Sequence, residues 1–317
     1  MGGPLLVHGR VAAMEVTLAQ RKSYLVIPAI AAARYIEHML WRAEAADWPG
    51  AIIFDLEDSV PVRRKSEARG LLHDSLSRHF EPLDQRASVL VKINGVTTPD
   101  FEEDLRLIAE LGRRALGIAT AKTEQTSELE RVFAAMPSGN GRRAPVFPVI
   151  ETLAGYDNRE ALCACAGDHG VEHFAFGAGD MSVSLGIDRD YESDLLRFVF
   201  CQTVLSARRW KVGIIDSPPR ILPKTRDEAY FAKIVRSECE WARRNGAVGK
   251  IAIHPKQVRI INEVFGRESQ IENARRVLRQ FAAVEDTSSL VSEETGEYMG
   301  TPSRRAAENL IKRSREP

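Results

Sequence analysis

Residues Val146–Gly186 read VFPVIETLAGYDNREALCACAGDHGVEHFAFGAGDMSVSLG, and the reading of this stretch decides the fold class. Val146–Ile150 is a short, wholly apolar run fit for a buried strand, and it stops abruptly at Glu151-Thr152. A helix is expected from about Gly155 to Ala166. His173–Phe176 then makes a second buried strand, which opens into Gly177-Ala178-Gly179-Asp180. Two neighbouring parallel strands would therefore end in acids, Glu151 and Asp180, on the rim where α/β proteins place their sites. Such a pair suits one hard divalent cation, Mg2+ or Mn2+, with water or substrate oxygens in the remaining positions. Taken alone, the two acids read equally well as solvated loop residues.

The same alternation repeats on both sides. Upstream, Tyr24–Pro28 is the first expected strand, followed by an alanine-rich helix from Ala31 to about Ala45. Ala51–Asp55 is the second and runs into Leu56-Glu57-Asp58, with Pro61 near the start of the next helix. Ser88–Ile93 ends at Asn94-Gly95, and Ala115–Ala119 ends in Thr120-Ala121-Lys122. Downstream, a helix from Glu192 to about Arg209 leads to Val212–Ile215 and Asp216, and another from about Arg226 to Asn245 leads to Lys250–Ile253 and His254-Pro255. Eight strand–helix alternations predict a parallel (β/α)8 TIM barrel, an α/β fold. A doubly wound sheet would call for a GxGxxG turn after the first strand, and the sequence has none there.

After Phe265 the expectation is a helix to about Glu285, a polar loop through Gly300 and a terminal helix over Pro302–Arg315. The domain plan is then a tail over 1–20, the barrel over 21–285, and a linker and helix over 286–317 serving as oligomer contact or lid.

Composition narrows the partners. With 317 residues and 44% hydrophobic content the chain can bury a large core. Lysine plus arginine number 44 and aspartate plus glutamate 44, so there is no electrostatic footprint for nucleic acid or an acidic membrane. No run approaches the roughly 18 apolar residues of a membrane span, and no secretory signal pattern opens the chain, which points to a cytoplasmic protein. Cys163, Cys165, Cys201 and Cys239 have neither CxxC spacing nor disulfide density and read as free thiols in helices.

Charged residues recur at the strand tips: Asp55, Glu57, Lys92, Lys122, Glu151, Asp180, Asp216 and His254, with Lys22 beside the first strand. Charge at the end of a buried strand is costly unless paired, solvated or on a metal, so the recurrence points to a ligand site. Gly177-Ala178-Gly179 lets backbone amides turn toward a bound carboxylate, an anion nest beside the cation. Lys22, Lys92 and Lys122 would neutralise substrate charge, Asn94 would contact substrate, and Glu57 and Asp58 would orient a lysine or a water. The competing reading is a set of rim salt bridges. His254 reads as the cap of the last barrel helix and Asp216 as a brace for Ser-Pro-Pro.

Several blocks carry a family likeness: Lys22–Ala29 (KSYLVIPA), Ile53–Val60 (IFDLEDSV) with Lys65 and Ala68-Arg69, Val91–Asn94 (VKIN), Ile150–Thr152, Phe176–Asp180 and Ala252–Gln257 (AIHPKQ). Together, in this order and spacing, they resemble the citrate lyase β-subunits, malyl-CoA lyases and citramalyl-CoA lyases of the HpcH/HpaI aldolase superfamily. The resemblance implies a Mg2+-dependent barrel with the ion on Glu151 and Asp180. It also implies a 2-oxo acid such as glyoxylate, pyruvate or oxaloacetate chelated to the ion, an acyl-CoA thioester as the other partner, and a homo-oligomer, trimer or hexamer. Cleavage or formation of the carbon–carbon bond of a 3-hydroxyacyl-CoA would follow.

The chain departs from the family in three places. Lysine stands at 22 and at 92 where the family has arginine, and an ammonium lacks the two-pronged grip of a guanidinium. The tail segment Gly296–Pro302 has no aspartate, leaving Glu297 or Glu294 as substitutes. Two other functions compete with the metal lyase: an aldolase with Lys92 or Lys122 as Schiff base, and a binding homologue without catalysis.

Overall fold

The computed structural model of the chain describes residues 22–112, 116–136, 145–188, 190, 192–223, 227–284, 288–292 and 295–315. The expected tail, Ala115 and Glu294 lie outside them. Eight strands, β1 Ser23–Pro28, β2 Ala51–Asp55, β3 Ser88–Ile93, β4 Gly117–Thr120, β5 Val146–Ile150, β6 His173–Phe176, β7 Gly213–Asp216 and β8 Gly249–Ala252, pair in parallel in chain order. Pairing of β8 back onto β1 closes the barrel, with Ser23 opposite Lys250. Closure depends on Gly249, where an added Cβ would come within 2.5 Å of the Lys22 carbonyl oxygen.

Side chains alternate between two cores, as strand geometry requires. Tyr24, Ile53, Leu90, Phe147, Val149, Ala175 and Ile215 fill the barrel, with Tyr24 stacked on Phe147 at 4.9 Å between centroids. Their strand neighbours Leu25, Ile52, Val89, Phe174 and Ile214 point outward against the helices. That second layer explains the nearly continuous apolar runs: both faces of each strand are buried.

The helical shell comprises α1 Ala32–Arg42, α2 Lys65–Asp84, α3 Asp100–Leu111, α4 Thr126–Ala135, α5 Leu153–Asp157, α6 Arg159–Asp168, α7 Ala178–Leu185, α8 Asp194–Arg209, α9 Glu228–Arg244 and α10 Pro255–Phe265. Three expectations are corrected. The single helix of Gly155–Ala166 is two, α5 and α6, broken at Asn158, whose side-chain amide donates to the Glu124 carbonyl at 2.9 Å. The polar loop before Gly300 contains a hairpin, β9 Ser289–Val291 with β10 Tyr298–Gly300, joined through Gly296 at φ +69°. It lies between α11 Arg267–Ala282 and α12 Thr301–Arg315, which pack on each other. Lastly, Asp216 does more than brace a turn: it pairs with the fully buried Lys250 ammonium on the outer wall of the barrel.

Among the described residues no helix is long and apolar enough to cross a membrane. Cys163 and Cys239 are buried and all four cysteines are free.

Candidate active site at the barrel rim

The C-terminal ends of β2, β3, β4, β5 and β6 bring Asp55, Glu57, Lys92, Lys122, Glu151 and Asp180 to one rim. Lys22 is not among them. It precedes β1, so chain direction puts it at the opposite end, where its carbonyl accepts from the Lys250 amide at 2.8 Å and its charge bears on His173, the first residue of β6. Its expected place in the site is thereby corrected.

Glu57 is the hub of the polar contacts. One carboxylate oxygen accepts from Lys92 Nζ at 3.0 Å and from the Asp58 amide at 2.9 Å, and the other accepts from Lys122 Nζ at 2.6 Å. Burial works to raise its pKa, but the Lys92 charge and the hydrogen bonds from Lys122, the Asp58 amide and Lys92 outweigh burial and hold it at about 2. Lys92 is the reciprocal case. Burial opposes its charge, but Glu151, Asp55 and Glu57 hold its pKa well above the ordinary lysine value. Lys122 is raised likewise: burial opposes, while its bonds to Glu57 and Asp58 prevail.

Two groups serve as braces rather than as exposed contacts. Lys65, buried in the first turn of α2, donates to the carbonyls of Leu56 (3.0 Å) and Glu57 (3.2 Å) and to Asn94 Oδ1. Asn94 donates its side-chain amide to the Leu56 carbonyl (3.1 Å) and to Asp104 (2.7 Å), which Arg69 pairs at 2.9 Å. With both ends of its amide engaged, Asn94 props the Glu57 loop, a different task from the substrate contact expected of it. Only the eight-residue spacing of Glu57 and Lys65, loop to first helical turn, offered a signal for this brace.

Glu151 is buried at the tip of β5. Its Oε1 accepts from the Lys122 amide at 2.8 Å and lies 3.9 Å from Lys92 Nζ. Its Oε2 lies over Gly177, where an added Cβ would approach to 2.5 Å, so only glycine fits there. Burial pushes its pKa up, Lys92 and the Lys122 amide pull it down, and the charges of Asp180 and Glu57 push it up again, to about 7. Lys122 aims that amide from a left-handed conformation, φ +46°, uncommon for a side chain with a Cβ.

The Gly177–Asp180 segment, expected to turn its amides into an anion nest, is the start of a helix. Gly177 is the N-cap of α7, and Ala178, Gly179 and Asp180 form its first turn. The Ala178 amide donates to Ser217 Oγ at 2.6 Å, and that hydroxyl donates to the Phe176 carbonyl. The amides of Gly179 and Asp180, lacking a carbonyl one turn back, are those left to face an anion. His254 caps α10, its Nδ1 accepting from the Lys256 amide at 3.1 Å.

A divalent cation suits this donor set. Two acids on adjacent tips repel, one of them buried, and an ion between them would relieve the repulsion. Among the described residues no group of three or more His, Cys, Asp or Glu side chains is placed to hold a metal, so such an ion would complete its shell with water and substrate. Two surface hollows of about 470 and 450 Å³ lie on the helical shell instead, beside Trp41 and beside Phe231. They hold none of these carboxylates.

Residues 37–255 match the family described as HpcH/HpaI aldolase/citrate lyase. A citrate lyase subunit beta-like protein of Deinococcus radiodurans is 30% identical, over 74% of this chain and 78% of its own length. A (3S)-malyl-CoA thioesterase of Cereibacter sphaeroides is 32% identical, over 77% and 78%. Protein CitE of Mycobacterium tuberculosis, solved with magnesium, acetoacetate and coenzyme A, superposes with a TM-score of 0.68 at 23% identity, covering 94% of this chain and 100% of that one, a likeness of fold. The chain belongs to the HpcH/HpaI aldolase/citrate lyase family.

Proposed function

We propose that this member of the HpcH/HpaI aldolase/citrate lyase family is a divalent-cation-dependent carbon–carbon lyase. It would split a 3-hydroxyacyl-CoA that also carries a carboxylate on C3, the C3 hydroxyl losing its proton to become the keto group and the C2–C3 electron pair leaving as the acyl-CoA enolate, into an acyl-CoA and a 2-oxo acid, or run that reaction in reverse. The observation that carries the reading is the buried Glu151 carboxylate, pushed up to about 7 by burial and by its acidic neighbours, with Asp180 on the adjacent tip. Glu151 and Asp180 would hold Mg2+ or Mn2+. What such an ion supplies when bound is polarisation of a substrate carbonyl and a counter-charge for its oxygen.

The chain's own groups do the rest. Glu57 fixes the Lys92 ammonium beside Glu151, where it can donate a hydrogen bond to oxygen on which charge develops. The Gly179 and Asp180 amides orient a substrate carboxylate. Both lysines are held protonated by carboxylates, whereas a Schiff-base lysine must be free to lose its proton, so the electrostatics weigh against that chemistry. The test is incubation with 3-carboxy-3-hydroxyacyl-CoA thioesters and Mg2+: formation of a 2-oxo acid, abolished by EDTA, is expected. Turnover unaffected by EDTA, or no 2-oxo acid from any thioester, would defeat the reading.

A second reading rests on the (3S)-malyl-CoA thioesterases, as similar as the lyase relative. The same rim would then direct water at the thioester, and release of free CoA without a 2-oxo acid identifies that outcome. The α11–α12 pair is proposed as a contact between copies, and light scattering of a chain ended at Ala282 checks it.

A further inference from the structure

We propose that the rim prefers a 2-oxo acid with one carboxylate over one with two, an inference that rests on the lyase reading above. The ground is the charge inventory of the mouth. Asp55, Glu57, Asp58, Glu151 and Asp180 contribute five carboxylates, against the two ammonium groups of Lys92 and Lys122. Among the described residues, with Glu151 ionised as it would be on a cation, the excess is three negative charges, and a divalent cation leaves one.

Both ammonium groups are already committed, Lys92 to Glu57 with Glu151 nearby, and Lys122 to Glu57 and Asp58. The layer behind them releases no cation: Arg69 is held by Asp100 and Asp104, and Lys65 spends its donors on the carbonyls of Leu56 and Glu57 and on Asn94. Among the described residues no other lysine or arginine forms an ion pair with those five carboxylates. Arg220, on the loop after β7, is held by Asp190, Glu192 and Glu238, and Lys256 by Glu228.

The first carboxylate of a 2-oxo acid has a place, at the cation and the amides of Gly179 and Asp180. A second would enter a mouth still negative, with no cation among the described residues released to meet it, and would lie near Glu57 and Asp58. Like charges in a partly desolvated cleft repel strongly enough to cost at least about tenfold in affinity.

The experiment is calorimetric titration of the full chain in Mg2+ with 2-oxobutyrate and with freshly dissolved oxaloacetate, which share a carbon skeleton length and differ by one charge. The expected result is at least about tenfold tighter binding of 2-oxobutyrate at low salt. The ratio should shrink in about 0.5 M NaCl, and also in Asp58→Asn, which removes one exposed rim charge. Equal or tighter binding of oxaloacetate overturns the preference while leaving the lyase reading in place. A ratio that neither salt nor Asp58→Asn moves assigns the discrimination to shape and also overturns the proposal. Absence of Mg2+-dependent binding by both acids overturns the lyase reading and this inference with it.

Discussion

Two lysines in this barrel, one buried and one half-buried, meet opposite fates. On the outer wall, Lys250 of β8 pairs one-to-one with Asp216 of β7 and is sealed beneath α9, whose Glu238 and Cys239 lie within electrostatic reach. At the rim, Lys92 faces Glu57, Glu151 and Asp55, three carboxylates for one ammonium. The first arrangement is closed and nothing further is required of it. In the second, negative charge is in surplus and Glu151 resists ionisation, which makes the rim the place where an added cation gains most.

The largest effect expected is on the closed pair. Lys250→Met leaves Asp216 buried without a counter-charge and should cost about 3–5 kcal/mol in denaturant unfolding. Adding Asp216→Leu should recover most of that loss. A small effect of the single change would erase the distinction between wall and rim.

The next effect is read in pH. Glu151 has a folded pKa raised to about 7 from 4.5, so the unfolded chain loses this proton first and stability falls as pH rises between those values. His173, buried in the barrel floor beside Tyr24, is lowered to about 4 from 6.5 by burial and by the charges of Lys22 and Arg208. Its contribution has the opposite sign: stability is lost as pH falls from 6.5 to 4. Each is worth at most about 3 kcal/mol. Relative to wild type, Glu151→Gln should therefore gain stability toward pH 7, and His173→Gln should lose less on acidification toward pH 4. Thermal unfolding of the metal-free proteins in EDTA across pH 4–7.5 measures both, and parallel curves for all three proteins would contradict these assignments.

A smaller effect is expected from Gly177→Ala. The new Cβ would lie 2.4 Å from the Glu151 Cβ, a clash costing about 1–3 kcal/mol and displacing the rim carboxylate. Smallest is Lys122→Gly, which removes the left-handed strain of about 1 kcal/mol together with two partly exposed ion pairs, to Glu57 and Asp58, of about 1 kcal/mol in sum. Stability near wild type is expected in chemical unfolding.

The barrel was legible because every strand is buried on both faces and so appears as a compact apolar run, as in Ala51–Asp55, where the expected bounds match those observed. Glu151 was legible because it directly follows such a run, and Asp180 because it follows the glycines after one, although it stands in the first turn of α7. Less could be read where one residue serves two elements. Asn158 breaks a helix by reaching back to Glu124, a contact across the chain that no local period records. Lys250 disappears into an apolar strand because its partner is 34 residues away. Lys22 reads as a rim residue from its nearness to the first strand's motif, but its place before β1 rather than after it puts it on the far side.

The direct test of the rim is Mn2+ binding, followed by the loss of free-ion signal in electron paramagnetic resonance, for the wild-type chain, Glu151→Gln and Asp180→Asn. One ion bound per wild-type chain, and none by either variant at the same concentrations, is the expected result. Undiminished Mn2+ uptake by both variants would contradict it.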